Sequence, residues 1–331
     1  MSVSADTSFS GSSRSVLRLQ RSTLSVEATR LPKLALLYLL CVVIPIGFQA
    51  GPLAMTTLRL LLILMTIPLA IGLISGRYGK FIATDALMFA HIFWLVAALA
   101  VNNPESVIQQ SGSVGVEFIG GYLVGRATIR TREDFAALCR ILVWLVFFTT
   151  PFALLESQTG QPYIVEWISR LPGLTSVVPV HIDGRMGLER VQANFAHPIH
   201  YGLFCSVTFS LTFVALKGLI GGTRRWISSG IILMSGLLAL SSGALLAMVL
   251  QIGLISWQMA MSNVRKRWWV LFGLFAFAYI VVDLLSNRTP LQVFLSYATF
   301  SAHNAYWRTI IFDWGLDNVL GNPARDIPPA P

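Results

Sequence analysis

The densest group of polar side chains lies in one stretch, 180–200, which reads V-H-I-D-G-R-M-G-L-E-R-V-Q-A-N-F-A-H-P-I-H and directly precedes a long apolar run. Two of its arginines, Arg185 and Arg190, carry planar guanidinium groups that match phosphate oxygens through paired charge-assisted hydrogen bonds. The stretch therefore predicts a site for a phosphate or diphosphate group at a membrane surface. A second interpretation stays open, in which Glu189 and Arg190 pair with neighbours and the histidines only anchor an interfacial loop.

The two histidines at the end of this stretch, His197 and His200, are one helical turn apart and would share one face of a helix that starts there. A metal ion would need a third ligand, and Asp183 is the nearest one, without a recognised spacing. We therefore expect neither a metal nor a cofactor. His197 is better suited to act as a general base or a hydrogen-bond donor, because imidazole titrates near neutral pH.

The composition places this stretch in a membrane protein. Of the 331 residues, 55% are hydrophobic and 12% are charged, and the mean hydropathy is +0.68, which is more apolar surface than a soluble core can hide. The net charge of +9 comes from short basic clusters scattered between apolar runs, a distribution that argues against a nucleic-acid partner. The three cysteines lie inside apolar runs without paired spacing and are expected to be packing residues.

The apolar runs predict an all-α fold, a polytopic transmembrane helix bundle of about nine spans. The runs fall at 34–50, 53–74, 82–101, 109–125, 136–155, 197–216, 226–242, 244–261 and 268–285. The fourth is the weakest, because Glu117 and several polar residues dilute it. The chain then divides into a disordered basic tail (1–33), spans one to five (34–155), a long loop (156–196), spans six to nine (197–285) and a C-terminal segment (286–331). A cleaved signal peptide is disfavoured by the long polar lead.

The distribution of Lys and Arg predicts the orientation, because cytoplasmic loops are enriched in both. If the N-terminus is cytoplasmic, every inner segment is basic, whereas the outer turns at 49–52, 102–106 and 241–243 contain neither residue. The long loop between spans five and six and the C-terminal segment would then both lie on the outer side of the membrane. Both carry arginines: Arg170, Arg185 and Arg190 in the loop, and Arg288, Arg308 and Arg325 in the C-terminal segment.

A few ionisable residues fall within or beside the spans, where they are costly and usually face a bundle interior. Arg59 and Asp85 lie near span ends, and we expect their side chains to snorkel to the surface. His91 lies within the third span, and Glu117 within the fourth. Only Glu117 would line the interior as a functional group. A transporter or exporter of an envelope lipid or glycan precursor would use such a residue, but no string of acids follows a single span.

Three motifs give the chain a resemblance to a known family. They are R-M-G-L-E-R-V-Q-A-N-F-A-H-P at the end of the long loop, L-S-S-G-A-L-L-A between two spans, and R-T-I-I-F-D-W-G-L-D-N-V-L-G-N-P from Arg308 onward. The segment 120–135 adds a basic inner loop. With these motifs the chain resembles the O-antigen ligase and O-antigen polymerase superfamily of bacterial envelope glycan enzymes, over most of 35–323.

The resemblance implies a periplasm-facing glycosyltransferase without a metal. Such an enzyme moves a glycan from undecaprenyl diphosphate to a hydroxyl group of an acceptor glycan or lipid. Arg185 or its neighbour Arg190 matches the arginine of the family's first large loop, and Arg308 matches the one that opens the second. All three are expected to bind the diphosphate, and His197 or His303 to assist the acceptor.

The chain departs from the family at its C-terminal end. The family continues from the Asn-Pro pair to a His-Asn pair and further spans, whereas this sequence ends shortly after Asn322 and Pro323. His303 and Asn304 form such a pair, but before the arginine-led segment. We therefore also expect that the chain is C-terminally truncated and inactive as an enzyme, which leaves a non-catalytic membrane partner as a third hypothesis beside the enzyme and the exporter.

Overall fold

The structure is a computed structural model. It describes residues 30–50, 53–180 and 182–287, together with 289–290, 293–294, 307, 310–312 and 314–315. The basic tail up to residue 29, and two of the predicted site residues, His303 and Arg308, lie outside the described residues.

The described part of the chain is mostly helical. Its α-helices are α1 (Lys33–Val43), α2 (Thr57–Ile74), α3 (Ala83–Asn102), α4 (Val107–Gln110), α5 (Val116–Thr128), α6 (Arg132–Thr159), α7 (Tyr163–Ser169), α8 (Pro198–Ser210), α9 (Gly222–Leu237), α10 (Ser242–Ala260) and α11 (Arg267–Leu285). A wider π-helical turn joins α4 to α5, and a second one, Leu211–Ala215, extends α8. Each of the nine predicted apolar runs overlaps one of these helices, with shifted ends.

Six of the described helices are long and apolar enough to cross a membrane, which indicates a multi-pass membrane protein. They are α2, α3, α6, α8 with its π-helical extension, α10 and α11. The helices in the remaining runs are shorter: α1 has 11 residues, α5 has 13 and α9 has 16. A helix needs about 20 residues to cross the hydrocarbon layer unaided.

The first predicted span is wrong at its C-terminal end. Helix α1 stops at Val43, and the chain continues as an antiparallel hairpin of β1 (Gly47–Ala50) and β2 (Leu53–Thr56). Pro45 disfavours the helical conformation in the residue before it. The outer strand edge is satisfied by a distant partner: Gly47 and Thr175 exchange two backbone hydrogen bonds, of 2.7 and 2.8 Å. A Cβ atom on Gly47 would lie 2.7 Å from Thr175 Oγ1, so only glycine fits.

Close helix contacts depend on small residues, as in other membrane proteins. A Cβ atom on Gly120 of α5 would lie 2.8 Å from the Thr66 hydroxyl of α2. In the second half of the chain, a Cβ atom on Gly236 of α9 would overlap Met248 Cε of α10, and one on Gly202 of α8 would lie 2.6 Å from Ala244 Cβ. Helices α8, α9 and α10 therefore pack with their backbones close together, beside α6.

The loops gather at two ends of the helices. At one end, the chain that follows α1, the 160–197 segment and the α9–α10 connection contact one another: Asn194 Nδ2 donates to the carbonyl of Val43, and the amide of Val191 donates to the carbonyl of Leu238 at 3.2 Å. The α9–α10 connection is one of the turns without Lys or Arg. We call it the loop end.

The basic connections gather at the other end. The Arg126 guanidinium at the end of α5 donates to the carbonyls of Tyr78 and Lys80, at 3.0 and 2.9 Å. The α5–α6 and α8–α9 connections line a common cleft, with Arg130, Arg132 and Lys217 among its residues. We call this the basic end. Three of the basic connections, α2–α3, α5–α6 and α8–α9, therefore lie together in space.

The expectation that Asp85 snorkels is wrong. Its side chain is fully buried, and it accepts hydrogen bonds from the Tyr122 hydroxyl, from Arg126 Nε at 3.2 Å and from the amide of Ile82 at 2.8 Å. The carboxylate therefore links the start of α3 to the end of α5. A solvent-exposed side chain could not make these contacts.

Glu117, on which the exporter hypothesis depended, also has a partner. Arg59 Nε of α2 donates to its Oε1 at 2.6 Å, and both side chains are about one-third exposed. The interaction has the geometry of an ion pair between two helices.

We expect Asp85→Asn to lower the free energy of unfolding by about 2–3 kcal/mol, because a mostly buried guanidinium loses its counter-charge. Thermal unfolding in detergent micelles would measure the change. Asp183→Asn removes the same charge from an exposed position and should change stability by less than about 0.5 kcal/mol. Equal effects of the two substitutions would contradict the structural role of Asp85.

Candidate functional site

The candidate site lies at the loop end and is built on a carboxylate near the end of α6. Glu156 is 2% exposed. Its Oε1 accepts the amide of Gln192 at 2.7 Å, and its Oε2 accepts the amide of Ala193 at 3.0 Å. Buried amides need such partners, and Ala193 has a positive φ of 52° that no helix or strand would supply. Glu156 thus fixes the backbone between Arg190 and His197.

Gln192 continues this network into the loop. Its Oε1 accepts the amide of Val180 at 2.7 Å, and its Nε2 donates to the carbonyl of Phe195 at 3.1 Å. The side chain is 2% exposed, so these bonds are shielded from water. They hold the start and the end of the polar stretch side by side.

Arg185 opens a tight turn in the polar stretch. Its amide and carbonyl pair with Leu188, at 2.8 and 3.0 Å. The two central residues, Met186 and Gly187, have φ values of 56° and 76°, as in a type I′ hairpin turn. The Arg185 guanidinium donates to the carbonyl of Leu240 at 2.8 Å. Arg185 therefore connects the polar stretch to the α9–α10 connection.

Arg190 has a different environment. Its Nε is buried without a hydrogen-bond partner among the described residues, and no described carboxylate forms an ion pair with it. Burial, followed by the positive charge of Arg185, lowers its pKa. The two guanidinium groups are thus close enough to repel each other. This finding disagrees with the interpretation in which Arg190 simply pairs with a neighbouring acid, and an anion would relieve the repulsion.

His197 caps helix α8. Its Nδ1 accepts the amide of Ile199 at 3.1 Å, and its ring centroid lies 6.1 Å from that of His200. Burial, followed by the charges of Arg190 and His200, lowers the pKa of His197 below 6.5. Because Nδ1 is used as an acceptor, the proton of the neutral ring is assigned to Nε2. His197 can therefore offer an N–H donor, whereas the lone pair needed by a general base is already occupied.

A cleft of about 490 Å³ opens beside Arg190. It lies between the end of α6 and the two edges of the polar stretch, and it is lined by Thr159, Gly160, Gln161, Val180, Ile182, Asp183, Gly184, Glu189 and Arg190. Arg190 is the only basic residue in this lining. Arg185, His197 and His200 are not among the lining residues. The lining also contains two carboxylates, Asp183 and Glu189, so Arg190 supplies its positive charge beside two acidic side chains.

The sequence analysis missed two residues of the site, Glu156 and Gln192. Glu156 was placed at the start of a loop, whereas it lies in the last turns of α6, within the segment F-A-L-L-E-S. An acidic residue in such an apolar segment is itself a signal, because it needs a partner. Gln192 has no comparable signal. Among the described residues, no three His, Cys, Asp or Glu side chains gather at one point.

Comparisons of this chain with protein-family models, with curated proteins and with solved structures find no match. The likeness to the O-antigen ligase and polymerase superfamily therefore remains a resemblance of short motifs.

We expect Glu156→Gln to destabilise the loop end by about 1–3 kcal/mol, because an amide NH2 would replace one acceptor and face a backbone N–H donor. Thermal unfolding in detergent is the measurement. Glu105→Gln, at an exposed position, is the control and should have little effect. A stability of the Glu156 variant equal to that of the control would show that the carboxylate does not hold the loop.

The lowered pKa of His197 predicts a pH dependence. The unfolded chain takes up the proton more readily than the folded one, so stability should be full above pH 6.5 and should fall as the pH drops toward the folded pKa. Asparagine at this position keeps a capping oxygen but cannot titrate. Thermal midpoints measured between pH 8 and pH 5 should therefore fall less for His197→Asn than for the original chain. Parallel curves would contradict the prediction.

Proposed function

We propose that this chain is a membrane glycosyltransferase of the O-antigen ligase or polymerase type. In this proposal it takes a glycan from undecaprenyl diphosphate and transfers it to a sugar hydroxyl of an acceptor. The observation that carries the proposal is the environment of Arg190: a half-buried guanidinium with an unpartnered Nε, beside Arg185, at the edge of a cleft. A diphosphate is an anion whose oxygens suit two neighbouring guanidinium groups.

The proposed reaction uses this charge at the leaving group. The acceptor oxygen forms a bond to the anomeric carbon, the bond between that carbon and the phosphate oxygen breaks, and the electron pair leaves with undecaprenyl diphosphate. Arg190 and Arg185 stabilise the charge that develops there. Arg308 would add a third guanidinium, by the family resemblance. The His197 Nε2–H donates a hydrogen bond, and the hydroxyl proton passes to a separate base, for which His303 is the remaining candidate.

The proposal includes the topology. The loop end faces the periplasm and the basic end faces the cytoplasm, as the positive-inside rule predicts. All nine apolar segments are embedded in the bacterial inner membrane, the shorter ones against their longer neighbours, and the N-terminus is cytoplasmic. The polyprenyl tail of the carrier then stays in the bilayer while its diphosphate reaches the cleft.

The test compares arginine variants in proteoliposomes that contain a glycan linked to undecaprenyl diphosphate and an acceptor glycan. We expect the original chain to form a glycosidic bond, and Arg190→Ala to lose about 100-fold or more in transfer rate, as when one preorganised donor to a developing charge is removed. Arg170→Ala is the matched control. It removes the same charge from an exposed position of the same loop, where Arg170 pairs with Glu166 at 3.5 Å, and it should keep activity within about twofold.

Binding of undecaprenyl diphosphate to the purified chain gives a second measurement. Arg190→Ala should weaken binding, while Arg170→Ala should not. If the carrier lipid binds but no glycosidic bond forms, the protein is a carrier-binding partner or an exporter and the enzyme proposal is wrong. If Arg190→Ala binds and transfers like the control, the assignment of the site is wrong.

A further inference from the structure

A second group of arginines lies at the basic end, far from the candidate site. Arg140 of α6 and Arg224 of α9 line a groove of about 470 Å³ between these two helices and the α8–α9 connection. Arg140 precedes Glu156 by 16 residues on one helix, which corresponds to ~24 Å at 1.5 Å per residue. The groove is therefore independent of the proposed glycosyltransferase site.

Arg140 and Arg224 differ from the paired arginines of the described residues. No described carboxylate forms an ion pair with either of them. The next residue along the chain, Arg225, shows the contrast. Its guanidinium donates to the carbonyl of Phe213 at 3.2 Å and lies 4.7 Å from the centroid of the Phe213 ring. Arg225 thus packs against α8, while Arg224 remains exposed at the groove.

The groove changes from charged to apolar along α6. Val143 and Trp144 lie three and four residues after Arg140, and Phe147 lies seven after it, so all four share one face of the helix. The stripe runs ~10 Å from the guanidinium of Arg140 toward Phe147. Trp144 is 61% exposed on a helix that is apolar enough to span a membrane, so this part of the groove opens toward the lipid.

The opposite wall of the groove also combines a charged part with an apolar part. Helix α9 begins at Gly222, and Arg224 lies in its first turn, where the helix dipole adds positive charge. Leu216, Leu219 and Ile220 of the α8–α9 connection complete the apolar lining. A free phosphate would use the two arginines but leave these side chains without a partner. A phospholipid matches both parts, with its phosphate at the arginines and its acyl chains along the apolar stripe.

We propose that this groove is a binding site for an anionic glycerophospholipid, such as phosphatidylglycerol. Charge complementarity selects the anionic headgroup, as in other basic pockets between membrane helices. The lipid would bridge α6 and α9 at the basic end, and it would bind whether or not the protein transfers a glycan.

The experiment measures lipid binding to the full chain by native mass spectrometry in detergent. We expect phosphatidylglycerol to bind more tightly than phosphatidylcholine. The double variant Arg140→Gln/Arg224→Gln should lose at least about tenfold in affinity for phosphatidylglycerol, which is about 1.4 kcal/mol, and its affinity for phosphatidylcholine should be unchanged.

The matched control is Arg77→Gln/Arg265→Gln. It removes two exposed arginines from other basic loops, so the net charge is the same, and its affinity should stay within about twofold. If both double variants lose affinity equally, the attraction is diffuse surface charge and the proposal is wrong. Equal binding of the two lipids to the original chain would also overturn it.

Two further variants keep the test decisive if the double variant does not fold. Arg224→Gln alone, at an exposed position in the first turn of α9, should weaken phosphatidylglycerol binding several-fold. Phosphatidylglycerol with brominated acyl chains should quench tryptophan fluorescence less in Trp144→Phe than in the original chain. Unchanged affinity in the first variant, or unchanged quenching in the second, would contradict the site.

Discussion

The carboxylate of Glu156 is the constraint on which the loop end depends. The polar stretch connects two helices and has no regular secondary structure, so its buried backbone amides need other hydrogen-bond acceptors. Glu156 takes two of them, at Gln192 and Ala193, from a position inside α6. The acid is therefore part of the rigid bundle, while the backbone it holds is part of the loop. Because of these two hydrogen bonds, helix α6 fixes the backbone that positions Arg190 and His197.

The same physical problem has two solutions in the described structure. At some positions a guanidinium is neutralised by a carboxylate, as in the pairs of Asp85 with Arg126 and of Arg59 with Glu117. At others no described carboxylate forms an ion pair with the guanidinium, as at Arg190, Arg140 and Arg224. Uncompensated cations are costly where water is limited. Their occurrence beside a cleft and a groove is why we assign an anionic ligand to each.

The helices were largely predictable, because a backbone in lipid must satisfy its own hydrogen bonds and the apolar runs therefore become helices. The exceptions have long-range causes. Helix α1 gives way to a hairpin that pairs with Thr175, more than a hundred residues away, and the burial of Asp85 depends on Tyr122 and Arg126 of another helix. Local hydropathy contains no information about such partners. The roles of Glu156 and Gln192 could not be predicted from the sequence for the same reason.

The sequence by itself determined the helical class, the alternation of basic and non-basic connections, and the residue types able to bind an anion, because these depend on composition and spacing. Only the tertiary structure decided which arginines already have partners. Arg185 donates to Leu240, and Arg225 packs on Phe213, whereas Arg190 and Arg224 stand beside open space. Whether a charge is compensated depends on distances between elements that are far apart in the chain, and those distances exist only once the helices have packed.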